Sequence, residues 1–242
     1  MSGHSKWAQI KHKKAATDAK KGVLFSKLVR EIAVAARSGD PNPDTNARLL
    51  ATIEHARSLG LPKDNIERAL ERATGGDKES HLEEFLYEAI GPRGASILIE
   101  GITDNRNRSL AEIKQILARR DAKLALKDSL LWNFEKIGSI DVIKAEDGAR
   151  NDEEAELTLI ESGARDFRRQ KEGWTVETEF PSLNSIRKEL EKRSLVVKAY
   201  GHDYKAKSQL EVPEAERNLI ESLVEELSEH DDVQEVYTNL AN

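Results

Sequence analysis

The chain has 242 residues and a formal net charge of −6, with 34% charged and 38% hydrophobic residues, which suits two or three ordinary domains with modest cores. It contains no cysteine, which excludes disulfides, thiolate nucleophiles and cysteine-based zinc sites. No apolar run approaches the ~18 residues that a membrane-spanning helix requires.

Charge is unevenly placed along the chain. Residues 1–37 carry Lys6, Lys11, Lys13, Lys14, Lys20, Lys21, Lys27, Arg30 and Arg37 against only Asp18 and Glu31, a local +7, so the remaining 205 residues sum to −13. A local cluster, rather than the average, is what meets a polyanion, and nucleic acid is the obvious one. Lys6, Lys11, Lys13, Lys14, Lys20, Lys21, Lys27 and Arg30 are candidate phosphate contacts. His12 could add a hydrogen bond, and Trp7 could stack on an unpaired base. The competing reading is a solvated basic helix with Trp7 packed on its own domain. The segment lacks an apolar h-region, which argues against a secretory signal, and it is Lys-rich rather than Arg-rich, which argues against a transit peptide. A cytoplasmic protein is expected.

Ala8 to Lys21 is a polar, basic stretch that Gly22 would end as a left-handed cap. Leu24, Leu28, Val29, Ile32 and Ala36 then follow helical spacing, stopped by Ser38-Gly39 and Asp40-Pro41-Asn42-Pro43. Asn42 as N-cap and Pro43 at the first helical position predict a helix carried by Leu49, Leu50, Ile53 and Ala56 and closed at Gly60. Pro62-Lys63-Asp64-Asn65 opens another, with Ile66, Ala69, Leu70 and Ala73 on one side. Thr74-Gly75-Gly76-Asp77 reads as an interdomain hinge.

Beyond residue 80, strands alternate with helices. Phe85 to Ile90, the turn Gly91-Pro92-Arg93-Gly94, and Ala95 to Thr103 predict a β-hairpin. Asn107 to Arg120 is an amphipathic helix, followed by short strands at Lys123 to Lys127 and Leu130 to Glu135. From Ser139 to Tyr200 the predicted order is βαββαβ, the ferredoxin-like unit. Residues 95–136 supply only the first part of a second such unit, and a helix from Pro213 to Ser228 with a strand from Val233 to Leu240 would complete it. The expected fold is therefore α+β: a helical N-terminal domain (1–76) followed by two ferredoxin-like α/β modules. One (138–202) is inserted into the other (80–137 plus 203–242). The alternative is two independent modules, with the last helix and strand packed elsewhere.

Thr103-Asp104-Asn105-Arg106-Asn107-Arg108 falls between a strand and a helix. Asn105, Arg106, Asn107 and Arg108 could hold a phosphate at the helix N-terminus. Equally, Asp104 or Asn105 could cap the helix while the arginines pair with acids. Trp132 and Phe134 lie two apart on one predicted strand, and Trp174 on another. No segment matches the RNA-binding octapeptide signature, so all three are assigned to core packing. The six His show no metal-ligand spacing, and there is no P-loop, GxGxxG or GxSxG. Paired acids such as Glu225-Glu226 and Asp231-Asp232 read as a solvated helix face and turn rather than a metal site. No enzyme, cofactor or metal is expected.

Several strings resemble those of the YebC/PmpR family: Gly3-His4-Ser5-Lys6-Trp7 with Ile10-Lys11-His12 and Lys14-Ala15-Ala16, Pro62 to Ala69, Gly75-Gly76, Tyr87-Glu88, Gly91-Pro92, Thr103 to Arg108, and Asp232 to Asn239. The resemblance spans essentially the whole chain. It implies a three-domain cytoplasmic protein. Members are assigned as DNA-binding transcriptional regulators, and relatives are linked to translation, including relief of ribosome stalling at proline-rich stretches. It carries a nucleic-acid role onto Lys6, Trp7, Lys11, His12, Lys13 and Lys14. Two segments depart from the family pattern: Gly-Pro-Arg-Gly stands where many members have Gly-Pro-Gly-Gly, and Asp121-Ala122-Lys123-Leu124-Ala125-Leu126 departs from the usual Gly-Gly-Asn-Leu-Gly. Modest strain or a changed loop is expected there. The partner is DNA or ribosomal RNA, the second bringing the ribosome with it. Lys-dominated contacts position a protein on phosphates without reading bases.

Overall fold

A computed structural model of the chain, describing residues 18–75, 81–144 and 151–241, begins with helix α1, Asp18–Arg37. Leu28, Ile32, Ala35 and Ala36 recur at helical spacing and are buried. Gly22 lies inside this helix rather than ending one, with open space where a Cβ would stand. A glycine in a helix costs only about 1 kcal/mol relative to alanine, and the apolar stripe on its C-terminal side outweighs that.

Helix α2, Ala47–Ser58, starts one turn later than Asn42 predicts. Asn42 instead heads the preceding turn, its side chain accepting from the Asp44 N–H at 3.0 Å. The cap is Asn46, which accepts from the Leu49 N–H at 3.0 Å. The Asn46 amide also donates to the carbonyls of Ala35 (2.9 Å) and Asp40 (2.8 Å). One side chain thus starts α2 and fixes the chain leaving α1. Helix α3, Lys63–Thr74, buries Ile66 and Ala69 and packs against α1. Of the expected hinge, Gly76 and Asp77 lie outside the described residues.

The chain continues through β1 (Glu83–Ile90), β2 (Ser96–Thr103), α4 (Arg106–Arg119) and β3 (Lys123–Leu124). It then forms β4 (Phe134–Lys144), α5 (Asp152–Glu161), β5 (Asp166–Gln170), β6 (Gly173–Glu179), α6 (Leu183–Lys192) and β7 (Leu195–Ala206), and ends with α7 (Glu214–Glu229) and β8 (Val233–Thr238). These elements fall into two compact units. One takes the described residues of Met1–Thr52, Leu61–Glu135 and Lys205–Asn242, and the other those of Ile53–Gly60 and Lys136–Tyr204.

In the first unit the sheet order is β3-β1-β2-β8. β1 and β2 pair antiparallel from Glu83↔Thr103 to Ile90↔Ser96, and β2 pairs antiparallel with β8 from Ile97↔Thr238. Alternate residues Phe85 and Ala89 of β1 and Ile97 and Ile99 of β2 share a core with Ile113 and Leu117 of α4 and Ile220, Leu223 and Leu227 of α7. The strand expected at Leu130 to Glu135 is absent here. Residues 131–133 form a single 3-10 turn, and Phe134 opens β4, which belongs to the other sheet. The place beside β3 goes to β1, so the ferredoxin-like layout is built with one central strand taken from before β2 rather than after β3.

In the second unit the order is β5-β6-β4-β7, with α5 between β4 and β5 and α6 between β6 and β7. Its buried residues include Ile140, Val142, Leu159, Trp174, Val176, Ile186 and Leu190. Trp174 is a core residue, as expected.

Both segments that depart from the family's glycine pattern contain a non-glycine residue in the left-handed region: Arg93 at φ 58° and Asp121 at φ 52°. A side chain is carried at both positions where glycine would be unstrained.

Candidate nucleic-acid interface

Lys6, Trp7, Lys11, His12, Lys13 and Lys14 lie outside the described residues. Lys20 lies in α1 and Lys21 is exposed near the start of that helix. Farther along α1 the cations turn inward. Lys27 is buried, and its ammonium donates to the Ser228 carbonyl at 2.7 Å near the end of α7. Arg30 donates to the Asp231 carbonyl at 3.0 Å and to Asp232 Oδ1 at 2.5 Å. These two side chains anchor α1 to the α7–β8 turn.

Asp232 is the centre of that anchor. Its side chain is only 2% exposed, in contrast to the solvated turn its sequence suggests. Oδ2 accepts from Ser109 Oγ (2.6 Å), Arg108 Nη2 (2.8 Å) and Thr103 Oγ1 (3.1 Å). The Asp232 carbonyl accepts from the Ile102 N–H at 2.8 Å. Burial alone would raise the carboxyl's pKa, but hydrogen bonds from Ser109, Arg108 and Thr103 and the charge of Arg30 outweigh it and bring the group down to about 2. The backbone crowds here as well: a Cβ on Gly101 would collide with the Phe85 ring and the Asp232 carbonyl. The strings Thr103–Arg108 and Asp232–Asn239, far apart in sequence, meet at this point.

At that meeting point Thr103–Arg108 makes the following contacts. Asn105 caps α4 by accepting from the Arg108 N–H at 3.1 Å. Arg108 pairs with Asp104 and Asp232, each at 2.8 Å. Arg106 lies 4.0 Å from Glu83 in an exposed pair, and Asn107 is exposed at the helix start. Capping and ion pairing therefore account for Asn105 and Arg108.

Glu112, His230 and Asp232 place potential ligand atoms within 4.8 Å of one another. However, the Asp232 oxygens already accept from two guanidinium groups and two hydroxyls. The guanidinium charges oppose a bound cation, so the geometry favours an ion-pair hub.

A second polar anchor supports the loop 125–133. Glu88 on β1 is buried, and its carboxylate accepts from the backbone N–H groups of Asp128 (2.5 Å), Leu130 (2.5 Å) and Leu131 (3.0 Å). The loop presents Leu126, 82% exposed, and Trp132, 68% exposed. Trp132 thus departs from the core role its spacing to Phe134 suggests. The 3-10 turn at 131–133 breaks the strand alternation, so Phe134 is buried while Trp132 is not. Neither Asp232 nor Glu88 stands out in sequence as a site; the only signal was that both lie in family-like strings.

Two family models match the chain: the TACO1/YebC N-terminal domain over residues 5–76 and the TACO1/YebC second and third domain over residues 82–240. Among the relatives, a probable transcriptional regulatory protein of Thermoanaerobacter pseudethanolicus is 38% identical over 240 residues, covering 99% of this chain and 97% of its own. One from Dictyoglomus turgidum is 42% identical over 241 residues, covering 99% and 95%. Among solved structures, a conserved hypothetical protein from Aquifex aeolicus matches with a TM-score of 0.88 at 36% identity, over 98% of this chain and 97% of that one.

Proposed function

The chain belongs to the TACO1/YebC family, and from that premise we propose that it is a non-enzymatic, cytoplasmic, nucleic-acid-binding regulator of gene expression. The observation that carries this reading is the +7 charge of residues 1–37 in a chain whose other residues sum to −13. Lys6, Trp7, Lys11, His12, Lys13 and Lys14, with Lys20 and Lys21, form the binding segment. Lys27 and Arg30 fix the helix that follows it. Arg106 and Asn107 are a secondary phosphate contact at the start of α4. The names of the relatives favour transcriptional regulation as the outcome.

A three-domain division at 1–76, 80–137 plus 203–242, and 138–202 goes with this reading. The spans of the two family matches and the pairing of β2 with β8 support it.

A second reading, a translation factor contacting ribosomal RNA, is favoured by the Lys-dominated cluster. Lysines neutralise phosphates without reading base edges.

Fluorescence anisotropy with labelled nucleic acid at increasing salt tests the common ground. Contact with six to eight phosphates gives a log–log slope of about −4 to −7, and a slope near zero refutes it. Sedimentation of lysate on sucrose gradients separates the readings. Absence from ribosomal fractions together with a reproducible DNA footprint rejects translation. Cosedimentation that needs residues 1–22, without discrete footprints, rejects sequence-specific regulation.

A further inference from the structure

Large exposed aromatics normally sit on side chains free to swing; Trp132 does not. Its indole N–H donates to the Ser129 carbonyl at 2.8 Å, which commits the polar edge of the ring and leaves its apolar surface toward solvent. The backbone on its N-terminal side is held by the buried Glu88 carboxylate through Asp128, Leu130 and Leu131. On its C-terminal side, Asn133 is buried, accepts from the Lys207 N–H through its carbonyl (2.8 Å) and from the Ser208 N–H through its side chain (3.1 Å). The Lys207 ammonium donates to the Trp132 backbone carbonyl at 3.0 Å, which ties a cation to this residue, and Lys127 is exposed on the same loop.

We propose that Trp132 is a stacking platform for an unpaired RNA base, with Lys207 and Lys127 meeting the adjacent phosphates. A preorganised ring costs little entropy to use, and base stacking needs only one ring face with cations nearby. An apolar protein partner would call for a wider apolar surface. Here Leu126 and Trp132 stand among Lys127, Asp128, Ser129 and Lys207, all exposed. Duplex bases are closed to such a ring, whereas RNA loops and single strands display theirs. The proposal rests on the nucleic-acid reading above and adds a base contact to its phosphate contacts.

The test uses the full chain, a labelled single-stranded RNA of about 15 nucleotides and a duplex RNA of the same length, with circular dichroism to confirm folding. Trp132→Ala should weaken single-strand binding by about 5- to 150-fold, the range for one lost base stack, with the salt slope unchanged. Trp132→Phe should restore most of that binding, and duplex affinity should not move. Lys207→Gln should instead flatten the single-strand salt slope by about 0.7. Equal single-strand binding by wild type and Trp132→Ala overturns the platform while leaving the nucleic-acid reading intact. So does an equal loss on single strand and duplex. A wild-type chain that binds only DNA in a salt-dependent way overturns the platform alone, and one that binds neither RNA nor DNA overturns both.

Discussion

Replacing Asp232 by asparagine keeps the side chain's size and removes the charge beneath Arg30 and Arg108. The carboxyl lies at about 2, against an ordinary 3.8, and that difference is worth about 2–3 kcal/mol of stability at neutral pH. Breaking a buried ion pair one-sidedly costs about 3–5 kcal/mol, so the loss should fall between these values. Because the folded pKa is lowered, the stabilisation is fully present above the ordinary carboxyl pKa and is lost as pH falls from there through about 2. Thermal unfolding followed by circular dichroism should show Asp232→Asn melting at least about 5 °C below wild type at neutral pH, given ~2–4 °C per kcal/mol for a chain of this size. The gap should close as pH falls below about 4. A gap under about 1 °C at neutral pH, or one unchanged by acid, would refute the account of Asp232 as a charge-bearing hub.

Gly101→Ala should unfold or precipitate the chain, because the Phe85 ring and the Asp232 carbonyl leave no space for a methyl; a soluble variant with wild-type melting would contradict this. Glu88→Ala should cost about 2–3 kcal/mol by stranding three loop N–H groups. Hydrogen exchange at Asp128, Leu130 and Leu131 should accelerate together, and unchanged protection would show that the loop is held by something else. Asp121→Gly should raise stability by up to about 1 kcal/mol by relieving a left-handed aspartate; a drop in melting temperature would show that the side chain contributes more than the strain costs.

Local patterns carried much of this fold. The α1 stripe, the β1–β2 hairpin and the elements of the second unit are periodicities of 3.6 and 2 bounded by turn residues, and they form where those periods place them. What was illegible depends on partners distant in the chain. Asn46 displaced Asn42 as a cap because it also holds Ala35 and Asp40. Trp132 and Phe134 share a strand-like spacing, yet Glu88, some forty residues earlier, pulls the backbone before them into a turn. Asp232 sits in an acidic run that reads as solvated, and only the fold brings Ser109, Thr103 and two arginines around it. The resemblance drew attention to the right strings without explaining why their residues are required.

The anchoring of α1 has a consequence for synthesis. Arg30 leaves the ribosome long before Asp232, 202 positions later, an interval of about 10–40 s at 5–20 residues per second. During that interval α7 and β8 do not exist, and β2 lacks its outer neighbour. The β4–β7 sheet has all its strands contiguous in the chain and can close while the earlier one waits. Nascent chains truncated before residue 214 should therefore hold a protease-resistant second unit, with α1 packed on α3 but not yet tied to the α7–β8 turn. For this fold, residues translated some two hundred positions later are the ones that seat helix α1.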